Sequence, residues 1–147
     1  MFRHILVPTD GSELSQAAIH QAVSFAKSIN ARVTFFYAKP EFPVTFYVEG
    51  VPIDAPTSEK FSQRAEFQAQ EFLGLGEKLA KEAGVECSKI SVSSDIPYEA
   101  IIDAANEEDC DLIFMASHGR RGISGFLLGS ETNSVLTHSK IPVLVYR

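Results

Sequence analysis

Cysteine is scarce: the 147 residues hold two, Cys87 and Cys110. They form no C-x-x-C pair, so neither a redox motif nor a zinc ribbon is indicated, and both read as reduced structural thiols. Positive charge is outnumbered, with 13 Lys and Arg against 19 Asp and Glu and a formal net charge of −6. That balance offers no overall basic field for nucleic acid or an anionic membrane. No apolar run approaches membrane-spanning length. Met1-Phe2-Arg3-His4 enters a strand-like run without a charged leader or a cleavage site, so the expected location is the cytoplasm. His4, His20, His118 and His138 lack ligand spacing such as H-E-x-x-H, and no dedicated metal centre is indicated. Neither G-x-x-x-x-G-K-[ST] nor G-x-G-x-x-G occurs, which disfavours a P-loop enzyme or a dehydrogenase. Asp10, Ser117 and His118 supply the residue types of a hydrolase triad. The serine and histidine are adjacent, however, and no G-x-S-x-G elbow surrounds the serine.

What is present is ordinary globular material. The chain is 45% hydrophobic and 22% charged, long enough for one domain with its own core and without internal repeat, linker or low-complexity tract. Ile5-Leu6-Val7 is a short buried strand ended by Pro8-Thr9-Asp10-Gly11-Ser12. Leu14, Ala18, Ala22, Phe25, Ala26 and Ile29 then recur at helical spacing, between Ser12 as N-cap and Asn30 as stop. Residues 32–38 form an aromatic and β-branched strand. Pro40, Pro43, Pro52 and Pro56 make 40–57 a surface excursion, with Phe42, Phe46 and Tyr47 folding back onto the body or a partner. Residues 58–83 give the longest helix, with Phe61, Ala65, Phe72, Leu75, Leu79 and Ala83 as its stripe and Gly84 beyond its end. Gly74 and Gly76 weaken that helix by about 1 kcal/mol each relative to Ala. A third strand is predicted over 85–92, a helix opening at Pro97, a buried strand over 112–115, a short helix over 130–138 and a last strand over 143–146. Alternating strands and helices imply a parallel sheet covered on both faces, with ligands beyond the carboxyl ends of the strands.

The segment after the fourth strand carries the chemistry. Gly119, Gly122, Gly125 and Gly129 let backbone approach an anion, Ser130 and Thr132 add hydroxyls, and a helix start with free N–H groups follows. Arg120 and Arg121 add positive charge. The same residues also suit a plain loop, with glycines serving turns and arginines solvated.

Ile5-Leu6-Val7-Pro8-Thr9-Asp10-Gly11-Ser12, Ser117-His118-Gly119, Leu128-Gly129-Ser130 and Pro142-Val143-Leu144-Val145 together resemble the universal stress protein family over essentially the whole chain. The nucleotide-binding branch of that family carries G-x2-G-x9-G-[ST]. Gly119, Gly129 and Ser130 match it, whereas Ala116 stands where the first glycine is expected. The resemblance implies a single-domain, doubly wound, Rossmann-like α/β fold with a five-stranded parallel sheet in the order 3-2-1-4-5. It also implies ATP or another adenine nucleotide; any Mg²⁺ would come with the phosphates of ATP and not to a dedicated metal site. Pro8, Thr9 and Asp10 would border the adenosine, with Asp10 near the ribose and Ala38 by the adenine. Met115, Ala116, His118, Gly119 and Arg120 would line the other side, and Gly129, Ser130, Glu131 and Thr132 would face the phosphates. Asp10 also suits a turn or cap, Met115 plain core and His118 a structural hydrogen bond. If Ala116 needs left-handed backbone, its Cβ costs about 1 to 2 kcal/mol. If it ends the strand in extended form, the expected case, the methyl only narrows the pocket. Two functional classes follow: a nucleotide-dependent stress-response regulator with at most slow hydrolysis, or a nucleotide-free protein-interaction module of the same fold. As an edge, the apolar last strand would expose unpaired backbone, so a homodimer through it is expected.

Overall fold

The computed structural model describes residues 1–43, 58–120 and 127–147. Its elements run β1 (His4–Pro8), α1 (Glu13–Ile29), β2 (Arg32–Lys39), α2 (Ser58–Ala83), β3 (Cys87–Ser93), α3 (Pro97–Glu107), β4 (Leu112–Ala116), α4 (Ser130–His138) and β5 (Val143–Tyr146). The strands form one parallel sheet in the order β3-β2-β1-β4-β5. The expectations for Phe46, Tyr47, Pro52, Pro56, Arg121, Gly122 and Gly125 lie outside the described residues. Phe42 does fold back, meeting the Phe61 ring edge-on at 5.4 Å.

Strand alternation sorts the core into two layers. Ile5, Val7, Val33, Phe35, Tyr37, Leu112 and Phe114 pack with α1 and α2 on one face. Leu6, Phe36, Ile113 and Met115 pack with α3 and Val135 of α4 on the other. β1 and β4 are buried throughout, as strands covered on both sides must be.

Three helices end alike. A residue in left-handed backbone follows each: Asn30 (φ 55°), Gly84 (φ 73°) and Asp109 (φ 52°). The next residue sends its N–H back to a helix carbonyl, Ala31 to Ala26, Val85 to Ala80 and Cys110 to Ala105. Each returning residue is buried, so one hydrogen-bonded cap stops the helix and aims the chain at the next strand. This corrects the predicted start of β3. Val85 belongs to the cap of α2, and pairing begins at Cys87.

The stripe of α2 also shifts. Ala65, Ala69, Leu73, Gly76 and Ala80 are its buried residues, while Phe72, Leu75, Leu79 and Ala83 flank them. Gly76 has a packing reason, because a Cβ there would come within 2.6 Å of the Phe35 ring. Gly74 has nothing within 4 Å, so its propensity cost stands alone.

Candidate functional site

In the observed strand order, β1 is flanked by β2 and β4, and the connections from β1 and β4 depart to opposite sides. The crevice beyond their carboxyl ends is the place where such a sheet takes ligands. Pro8, Thr9 and Asp10 arrive there from β1, Ala38 from β2, Met115 to Arg120 from β4, and Gly129 to Thr132 at the start of α4.

Asp10 is tied on both oxygens. Oδ1 accepts the Ser12 N–H at 3.0 Å and Oδ2 the Arg120 N–H at 2.8 Å. Burial opposes its ionisation, but hydrogen bonds from the Ser12 side chain and backbone, the Arg120 N–H and the Ser15 side chain outweigh burial and hold its carboxyl below the ordinary value. The Asp10 carboxylate therefore stays charged, and each oxygen keeps acceptor capacity for a further donor. Gly119 makes this contact possible: a Cβ on residue 119 would collide with Asp10 Oδ2. Thr9 is buried, and its hydroxyl shares a 3.0 Å hydrogen bond with Ser15.

Ala116 is the last residue of β4, paired in register with Tyr146 and 8% exposed. The left-handed non-glycine residues among those described are Asn30 and Asp109 alone, so Ala116 is extended and its methyl carries no backbone strain. The Ala116 carbonyl accepts the Thr132 hydroxyl at 2.8 Å, which fixes that buried side chain internally. Glu131 is engaged too, its Oε2 accepting the Tyr98 N–H at 2.8 Å. The first turn of α3 has Ile96 as N-cap and no side-chain cap of its own, so Glu131 supplies one from across the layer. Ser117 is buried and its Oγ lies 3.2 Å from His118 Nδ1.

Gly129 is the N-cap of α4. Having no side chain, it offers no acceptor to the first-turn amides of Ser130, Glu131 and Thr132, and no backbone acceptor among the described residues replaces it. Its own N–H donates to the Ser117 carbonyl at 2.8 Å. A Cβ at 129 would stand 3.0 Å from His118 Cα, so any side chain here would crowd the backbone of His118. Thus the Asp10 carboxylate and the open end of α4 are both fastened to the segment from Ser117 to Arg120.

These residues can accept hydrogen bonds from a sugar at Asp10 and donate backbone N–H groups to an anion at α4. That set fits a ligand that carries both hydroxyl donors and an anionic group. Among the described residues no group of three or more His, Cys, Asp or Glu could hold a metal ion. Phe72, which lies under the Arg120 guanidinium, and Tyr37, which meets Phe72, were not legible as neighbours of the site, because aromatic residues at helix and strand spacing read as core.

Fold and crevice define the class: a doubly wound α/β domain with its open site at the switch point of strand order. A family model described as "Universal stress protein family" matches residues 1–147, and the chain belongs to that family. Universal stress protein MJ0531 of Methanocaldococcus jannaschii is 31% identical over 147 residues, spanning 100% of this chain and 83% of that protein. The solved structure of MJ0577, from the same organism, has a TM-score of 0.82 at 28% identity, covering 99% of this chain and 95% of that one. A universal stress protein solved in complex with cAMP shares the fold, with a TM-score of 0.67 at 24% identity and coverage of 99% and 97%. Among the described residues no helix is long and apolar enough to cross a membrane.

Proposed function

We propose that the protein binds an adenine nucleotide, ATP foremost, in the crevice between β1 and β4, and acts in the cytoplasm as a stress-response regulator with at most slow hydrolysis. One observation carries this reading: a charged Asp10 and an uncapped, glycine-led α4 are held on the same short segment. The first suits ribose hydroxyls and the second suits phosphate. A protein of this family and fold solved with cAMP is consistent with it. Ala116 favours the alternative, a nucleotide-free interaction module, since it stands where the family pattern has glycine, although its side chain packs in the core on the α1–α2 side.

Calorimetry with ATP and magnesium on the parent, Ala116→Gly and Gly129→Val separates these readings. The parent is expected to bind, and Ala116→Gly to change affinity by less than about tenfold, because an extended residue carries no left-handed penalty. Gly129→Val is expected to lose binding, since its side chain would displace His118. Binding only after Ala116→Gly would move the protein to the nucleotide-free class. No binding by parent or Ala116→Gly would reject the assignment of the loop.

The reading extends to assembly. Two copies would pair through β5, the edge strand next to β4. Ile113 N–H and Ser117 N–H bond to the Pro142 and Tyr146 carbonyls. In a parallel ladder the alternate residues Val143 and Val145 therefore turn their N–H and C=O groups to the open edge, available to a second chain.

A further inference from the structure

The Arg120 backbone is anchored on Asp10, while its side chain turns toward α2. Its Cζ lies 5.0 Å over the centroid of the Phe72 ring on α2. Phe72 in turn meets Tyr37 edge-on at 5.2 Å. Both rings belong to the α1–α2 layer, whereas Ala38, Met115 and Val135 of α4 pack in the opposite layer. The guanidinium is thus parked across the strand ends from the helix start whose amides are open. Among the described residues no hydrogen bond or ion pair fixes it there. The platform itself is built: Gly11, at φ 77°, has no Cβ, and a Cβ there would run into the Phe72 ring.

An exposed cation over an aromatic face biases its position by about two- to fivefold. A charge-assisted bond from guanidinium to phosphate is stronger, and its planar fork suits two phosphate oxygens. Arrival of a phosphate at α4 can therefore undo the parked state while the Arg120 N–H stays on Asp10. We propose that Phe72 is a positioning residue for nucleotide phosphate: it holds the Arg120 guanidinium aside in the free protein, releases it to the phosphate, and so sets affinity without touching the ligand. This rests on the nucleotide reading above.

The test is calorimetry with AMP and with adenosine on the full chain, comparing the parent, Phe72→Leu, Arg120→Gln and the double variant. Phe72→Leu should bind AMP about two- to fivefold more tightly and adenosine unchanged. Arg120→Gln should weaken AMP alone, and in that background Phe72→Leu should alter neither. A structural role for Phe72 would move AMP and adenosine together and persist without the arginine, overturning the proposal. Unchanged AMP affinity in Phe72→Leu would overturn it too. If the parent binds neither ligand, the nucleotide reading falls and this proposal with it; if the parent binds AMP indifferently to Phe72, this proposal falls alone. Should Phe72→Leu fold poorly, the Arg120 Nε proton of the parent gives a second readout. It should lie upfield under the ring in the free protein and move downfield with AMP, and a resonance that stays in place would contradict the release.

Discussion

At the scale of single residues, the site is organised by partners distant in sequence. Asp10 meets the Arg120 N–H, Glu131 caps the helix at Tyr98, and Thr132 closes on the Ala116 carbonyl. The sequence marked Gly119 and Gly129 as phosphate-loop glycines. A Cβ at either would meet protein, Asp10 Oδ2 at 119 and His118 Cα at 129, which no local spacing announces. Ala116 was legible as extended, because it directly follows an apolar strand run. His4 was read only as lacking metal spacing. It is 5% exposed, with Nε2 2.7 Å from Thr34 Oγ1 and Nδ1 without a hydrogen-bond partner among the described residues. Burial, helped by the Arg32 charge, lowers its pKa below 6.5, while the Glu108 backbone and the Glu108 and Asp111 charges pull the other way. The unfolded chain therefore binds the extra proton first. The His4 contribution to stability is complete above about pH 6.5 and is lost as pH falls through the lower folded value. Urea unfolding between pH 7.5 and pH 5.5 should show a fall in stability that is shallower in His4→Gln. Equal slopes in the two proteins would contradict this.

At the scale of elements, helices and strands were legible where periodicity was strong, and boundaries were less so where caps intervene. Gly84 was recognised as a stop and Asn30 as a candidate. Asp109 was missed, because aspartate in left-handed backbone has no pattern of its own within Glu107-Glu108-Asp109. Of the predicted α2 stripe Ala65 is buried, whereas Ala69, Leu73, Gly76 and Ala80 complete the buried line and the larger Phe72, Leu75 and Leu79 flank it, because small residues carry little periodic signal of their own. Cys110, at the cap of α3, is a structural thiol whose burial, reinforced by Glu108 and Asp111, pushes its pKa up to about 12. β5 is partly exposed along its length. Val145→Pro removes an outward N–H without touching the bonds to β4, so it should convert a dimer to monomer in light scattering with little loss of helix signal. A monomeric parent at micromolar concentration would rule out the pairing.

At the scale of the whole molecule, alternation of strands and helices was enough to imply a parallel sheet with both faces covered, but not its order. The order 3-2-1-4-5 came from the resemblance, since nothing in periodicity says which strands are neighbours. Once the order is set, the crevice follows, because β1 sits where the chain turns from one side of the sheet to the other. Asp10 and the start of α4 then come together although about 120 residues separate them in sequence. The central claim is that an adenine nucleotide occupies this crevice. Amide resonances followed during titration with ATP and magnesium test it most directly. The predicted result is that Gly119, Ser130, Glu131 and Thr132 shift most and saturate together. An absence of shifts, or shifts confined to surfaces away from the ends of β1 and β4, would contradict it.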